Sequence, residues 1–137
     1  MSVRRIAVLD NNRDYLEIVQ DLLQDEGFAV VTHEDLSSGY GFVQQQRPDL
    51  AIVDILQHRE PLGLNLLVAL RQDAELRALP VVVASADEPT LRQHADQFEA
   101  EGFAVLSKPF DLEELLRVVC QALDQSGPLP TTAAVAD

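Results

Sequence analysis

The chain has 137 residues, 47% of them hydrophobic and 24% charged, with a formal net charge of −13 and a single cysteine. That length holds one domain with a real core and is short for two, and the acidic balance argues against nucleic acid or an anionic membrane surface as partner. No basic N-terminal region precedes an apolar stretch of signal length, and no run approaches the ~18 apolar residues of a membrane span, so a cytoplasmic protein is expected.

Along the chain the hydrophobic period switches repeatedly between two and 3.6, the pattern of βα units. A first strand is predicted at about residues 4–10. Tyr15, Ile18, Val19, Leu22 and Leu23 then recur at helical spacing, with Asn11 or Asn12 as N-cap and Gly27 as terminator. Phe28 to Thr32 read as a short second strand, followed by a weak helix at about residues 36–46 that carries Gly39 and Gly41. Arg47-Pro48 breaks it, and a third strand runs from about 49 to 54. After a loop with Pro61 and Gly63, a third helix is predicted from about Leu64 to Gln72. Pro80 opens the fourth strand, and Leu91, Ala95 and Phe98 outline one fourth helix that stops near Gly102. A fifth strand at about 103–107 precedes a helix capped by Asp111, with Leu112, Leu115, Leu116, Val119, Cys120 and Leu123 as its buried stripe. Cys120 is accordingly read as a buried small hydrophobe. The segment 125–137 has no period and contains Pro128 and Pro130, so the folded domain is expected to span 1–124 with a disordered tail after it.

Five strands each followed by a helix, with right-handed crossovers, predict an α/β fold: a (βα)5 parallel sheet in a three-layer sandwich. Strands three, four and five are apolar enough to be covered on both faces. Parallel strands put their carboxyl ends on one edge, where ligands of open α/β sheets bind. That edge collects Asp10, Asp54 and Ser85 at the ends of strands one, three and four, and Lys108 after strand five.

Carboxylate and amide oxygens from Asp10, Asn11 and Asp54 are hard ligands suited to Mg2+. Asp54 could act as a carboxylate nucleophile and accept a phosphoryl group, with the Lys108 ammonium and the Ser85 hydroxyl placed to touch its oxygens. His33, His58 and His94 lack metal-ligand spacing and are read as surface or loop residues. No glycine-rich phosphate loop follows the first strand. A phosphatase with an aspartyl nucleophile on strand one is disfavoured, because Asn12 stands where its second aspartate would be.

At these positions the sequence resembles a response-regulator receiver domain of the CheY-like superfamily. Asp10-Asn11, Asp54, Ser85-Ala86 and Lys108-Pro109 fall in that family's order and spacing, together with Gly63-Leu-Asn-Leu-Leu67 and Leu79-Pro80. The resemblance covers residues 3 to about 124 and implies a flavodoxin-like, doubly wound sheet of order 2-1-3-4-5, with a cis bond before Pro109. It implies Asp54 as phosphoacceptor, assisted by Ser85 and Lys108. It also implies Mg2+ held by Asp10, Asn11, Asp54 and the backbone carbonyl of Leu56. The partners implied are a histidine kinase or phosphotransfer protein and a downstream protein target, with helices one and five facing the partner.

The departures shape the expectations. Asn11 replaces the family's second acid, so weak Mg2+ binding is expected; a unit charge at ~4 Å is worth about 4 kcal/mol at an effective dielectric near 20 before desolvation. His58 replaces a proline, and Gly63 comes one residue late. Leu56 is expected to shield the acyl phosphate and slow its hydrolysis. Val105 replaces an aromatic switch residue, which moves the expected readout to the backbone at Ala86 to Thr90. The reading is a stand-alone receiver in a two-component phosphorelay, non-enzymatic, a monomer or weak homodimer with no nucleic-acid output. Its rival is a pseudo-receiver that binds partners independently of phosphate.

Overall fold

A computed structural model of the chain describes residues 3–55 and 62–125. Residues 126–137 of the predicted tail and the loop positions Leu56, His58 and Pro61 lie outside the described residues, while Gln125 belongs to the last helix. In chain order the elements are β1 (Arg5–Leu9), α1 (Arg13–Asp25), β2 (Ala29–His33), a 3-10 turn (Leu36–Ser38) running into α2 (Gly39–Gln46), β3 (Leu50–Asp54), α3 (Leu62–Gln72), β4 (Val81–Ser85), α4 (Glu88–Gln93), α5 (Ala95–Ala100), β5 (Ala104–Ser107) and α6 (Leu112–Gln125). The strands form one parallel sheet in the order β2-β1-β3-β4-β5. Consecutive strands are joined by helices, as parallel pairing requires, and the doubly wound α/β prediction holds.

Alternation along the strands divides the core in two. Ile6, Val8, Leu50, Ile52, Val82 and Ala84 face α1 and α6, where they meet Leu16, Val19, Leu23, Leu115 and Val119. Ala7, Leu9, Ala51, Val53, Val81 and Val83 face the other layer and pack with Val43, Leu66, Leu70, Leu91 and Phe98. β1, β3 and β4 are thus covered on both sides, which is why their sequences are nearly continuous apolar runs.

Local chemistry fixes the helix ends. Asn12 caps α1, its side-chain oxygen accepting from the Tyr15 amide at 3.1 Å, and Gly27 ends it at φ +96°, a left-handed conformation that glycine adopts without a Cβ clash. Asp111 caps α6 by accepting from the Glu114 amide at 2.8 Å. Gly39 in α2 is a packing residue: a Cβ there would stand 2.8 Å from a Leu9 methyl and 2.9 Å from a Leu66 methyl.

Several predictions of burial and length need correction. The fourth helix is two short ones, α4 and α5, meeting at His94. Each half has one buried anchor, Leu91 and Phe98, while the intervening Ala95 is exposed and buries too little surface to hold the pair straight. β5 is covered on one face only; Val105 is 43% exposed, because β5 is an edge strand and the short α4 and α5 do not screen this position. On α6 the buried set is Leu115, Val118, Val119 and Leu123, and Cys120 is exposed. A helix turns about 100° per residue, so a face centred between 115 and 119 carries 118 inward and 120 out. The same geometry buries Leu16 on α1 and leaves Ile18 59% exposed.

Candidate functional site

Asp10, Asp54, Ser85 and Lys108 meet at the carboxyl edge of the sheet, each placed by the strand before it. The Asp10 amide donates to the His33 carbonyl at 3.1 Å, and the Lys108 amide donates to the Ser85 carbonyl at 2.9 Å. These bonds extend the β1–β2 and β4–β5 ladders and fix the backbone at the rim. Lys108-Pro109 is a cis peptide, as the resemblance implied.

Asp10 is 2% exposed, and its carboxylate is fully engaged within the rim. Its Oδ1 accepts from the Asn12 amide at 2.9 Å, and its Oδ2 accepts from Lys108 Nζ at 2.5 Å. A buried carboxylate needs this kind of pairing, since an unpaired charge at that depth is strongly destabilising. Lys108 Nζ also lies 3.8 Å from Asp54 Oδ2. The lysine and the Asp54 side chain are 17% and 12% exposed, so the ammonium bridges the two carboxylates with little solvent between them. Ser85 is 2% exposed, and its hydroxyl accepts from the Asp87 amide at 3.0 Å. Asp87 in turn caps α4, its Oδ1 accepting from the Thr90 amide at 3.1 Å.

The helix cap falls to Asn12, and Asn11 is exposed beside the rim. Asp10, Asn11 and Asp54 offer carboxylate and amide oxygens only, a donor chemistry that fits Mg2+. Leu56, the expected carbonyl donor, lies outside the described residues. Among the described residues no group of three or more His, Cys, Asp or Glu side chains gathers to hold an ion. With Asn11 in the second acidic position, the donor set has two carboxylates where a third charge would have stood.

Two aromatic residues complete the site, and the sequence shows Tyr15 only as part of the helical period of α1. Lys108 Nζ lies 3.9 Å from the centroid of the Tyr15 ring. Tyr15 packs edge-on against Phe110, with ring centroids 5.9 Å apart. The Tyr15 phenol is held well above its ordinary acidity range, first by burial and then by the charges of Asp10 and Asp54. The signal was its place in the first turn of α1, directly after the acidic rim. Tyr15, Ile18, Leu22, Lys108, Pro109 and Phe110 line an apolar cavity of about 410 Å3 between α1 and the loop after β5.

A doubly wound parallel sheet with a lysine bridging two strand-end carboxylates defines a CheY-like receiver. The chain belongs to the response regulator receiver domain family, whose family model matches residues 6–120. It is 33% identical over its full length to the DNA-binding transcriptional regulator NtrC of Azospirillum brasilense, of which it spans 28%. Protein PilH of Pseudomonas aeruginosa is 29% identical over 84% of this chain and 93% of its own length. The solved structure of chemotaxis protein CheY4 of Vibrio cholerae superposes with a TM-score of 0.77 at 23% identity, covering 88% of this chain and 99% of that one. Phosphorylation and Mg2+ binding are general properties of the family.

Proposed function

We propose that the protein is a stand-alone response regulator whose Asp54 accepts a phosphoryl group from a histidine kinase or phosphotransfer protein. The observation that carries this reading is Lys108, whose ammonium stands 2.5 Å from Asp10 and 3.8 Å from Asp54. A cation shared between a buried carboxylate and a rim carboxylate is placed to follow charge that arrives on the second. In the transfer, an Asp54 carboxylate oxygen bonds to phosphorus as the P–N bond of the donor's phosphohistidine breaks, and the imidazole nitrogen keeps the electron pair. Lys108 offsets the added negative charge, and the Ser85 hydroxyl donates to a phosphoryl oxygen. Asp10, Asn11, Asp54 and the Leu56 carbonyl are the proposed Mg2+ ligands. When bound, the ion neutralises charge on the phosphoryl oxygens.

Ser85 links the site to the surface. Its hydroxyl accepts from the Asp87 amide, so a hydroxyl turned toward Asp54 leaves that amide without its acceptor and releases the first turn of α4. The switch then needs no aromatic rotamer at Val105, and the short α4 is the moving part. The donor docks on the apolar cavity beside Lys108, where Ile18 is 59% exposed. The output is a protein contact, with neither nucleic acid nor membrane as partner. No helix among the described residues is long and apolar enough to cross a membrane, and a cytoplasmic location suits a kinase-fed regulator. The protein acts as a phosphorylated switch and not as an enzyme with a separate substrate.

Asn11 in the second acidic position and Val105 in place of an aromatic residue favour a second reading, a phosphate-independent interaction module. Intact-mass measurement after incubation with a small-molecule phosphodonor, with and without Mg2+ and with Asp54→Asn as control, separates the two. A Mg2+-dependent gain of one phosphoryl group that Asp54→Asn abolishes is the expected result. No gain at high Mg2+ would overturn it in favour of the module.

A further inference from the structure

The contact between Lys108 and Tyr15 does work that the two carboxylates do not. Lys108 Nζ sits 3.9 Å above the centre of the Tyr15 ring, within the range where a ring quadrupole attracts a cation. The ring is itself held from the side by Phe110, at an interplanar angle of 81°. The Tyr15 hydroxyl is buried and has no hydrogen-bond partner among the described residues, so it is the ring, and not a hydroxyl bond, that meets the rim. The phenol stays neutral, because burial and the charges of Asp10 and Asp54 oppose its ionisation.

We propose that Tyr15 is the positioning residue of Lys108: its ring face supports the ammonium between Asp10 and Asp54, beside a position where Asn11 supplies no charge. Asp10 alone would anchor the lysine at one end of the rim, since a 2.5 Å charge-assisted bond is short and directional. A ring face attracts a cation broadly over its area, so the ammonium can shift toward Asp54 without losing that partner. The ring also adds attraction without adding negative charge to the rim. The consequence for phosphoryl acceptance rests on the reading of Asp54 given above; the placement of Lys108 does not.

The test uses the full chain and two measurements. In the unphosphorylated protein, NMR of the Lys108 side chain is expected to show its ε-methylene protons shifted upfield by the Tyr15 ring current, a shift that Tyr15→Leu removes and Tyr15→Phe restores. With a small-molecule phosphodonor, which needs no docking cavity, Tyr15→Leu is expected to slow phosphorylation about five- to thirtyfold, the range of a partly desolvated cation–π contact. Tyr15→Phe, which returns the ring face, is expected to recover most of that loss. Tyr15→Met, unbranched and more adaptable in packing, takes the place of Tyr15→Leu if the latter does not fold. No ring-current shift in the unmodified protein, or a folded Leu or Met variant phosphorylated at the original rate, would overturn the proposal. If the unmodified protein takes no phosphoryl group, the Asp54 reading fails, and the NMR result alone decides the role of Tyr15.

Discussion

Gly63 lies against the backbone of Asp54: a Cβ at residue 63 would stand 2.1 Å from the Asp54 carbonyl oxygen and 2.4 Å from the Ile55 Cα. The Gly63 amide also donates to the Ile55 carbonyl at 3.2 Å, so the first turn of α3 is fastened to the end of β3. Gly63→Ala must move one of two backbones, neither of which is the far end of a flexible side chain. A loss of about 1–3 kcal/mol in stability is expected, read as a lower urea midpoint, with slower phosphorylation because Asp54 belongs to the displaced segment. Gly41 in α2 has nothing within 4 Å of an added Cβ, so Gly41→Ala should gain roughly 0.5–1 kcal/mol. Equal effects at the two glycines would sink the close-approach argument.

Lys108 compensates the buried Asp10 charge, and removing it strands that charge. Lys108→Met is therefore expected to cost about 3–5 kcal/mol, the usual penalty for breaking a buried pair from one side. Adding Asp10→Asn to Lys108→Met should return much of that loss, since an amide at Asp10 carries no charge to strand. Chemical denaturation of the two single variants and the double variant measures the coupling. Additive losses would mean that the pair is not coupled.

Asn11 sets the charge of the metal-binding edge. Asn11→Asp restores a third carboxylate beside Asp10 and Asp54, and tighter Mg2+ binding by about tenfold or more is expected, given that one added charge at ~4 Å is worth about 4 kcal/mol at an effective dielectric near 20 before desolvation. Titration calorimetry with Mg2+ reads this directly. The added charge should also lower stability without the ion, because it faces two carboxylates of the same sign. Unchanged affinity in a folded Asn11→Asp protein would place the ion elsewhere.

The sheet and the rim were legible because their signals are local. A strand buried on both faces is an apolar run, and the residue that ends it lands on the ligand-binding edge whatever the surrounding helices do. Asp10, Asp54, Ser85 and Lys108 follow from that rule alone. What the sequence hid depends on contacts between elements. The break at His94 reflects how little Ala95 buries between Leu91 and Phe98. Cys120 and Ile18 looked inward because adjacent apolar residues on a helix cannot be assigned a side until the neighbouring layer fixes the centre of the face. Tyr15 reads as core by period, and only the arrival of Lys108 from the far end of the chain gives its ring a cation.

Away from the rim, Tyr40 and Asp73 give the stability a predictable pH dependence. The Tyr40 hydroxyl donates to Asp73 Oδ2 at 2.5 Å, and the Asp73 Oδ1 accepts from the Glu75 amide at 2.7 Å and the Leu76 amide at 3.2 Å. The Tyr40 hydrogen bond, followed by the backbone bond from Glu75, holds the Asp73 carboxyl below its ordinary value of 3.8. The same bond to Asp73 pushes the Tyr40 phenol above its ordinary 10.0. As pH falls below the ordinary carboxylate value, the unfolded chain takes up the Asp73 proton first, so the stabilisation present above that value is lost on the acid side. As pH rises past the ordinary phenol value, the unfolded chain releases the Tyr40 proton first, and stability is lost on the alkaline side. Both residues are only half-buried, so the effects should be modest and weaker in high salt. Tyr40→Phe should abolish the alkaline loss and shrink the acid one, leaving the part that the Glu75 and Leu76 amides maintain. Urea midpoints across pH for the two proteins test this, and parallel curves would show that the bond does not form in solution. Asp73 follows the end of α3 opposite to Gly63, so the phosphorylation rate at neutral pH should not change with Tyr40→Phe, which separates this stability device from the chemistry at Asp54.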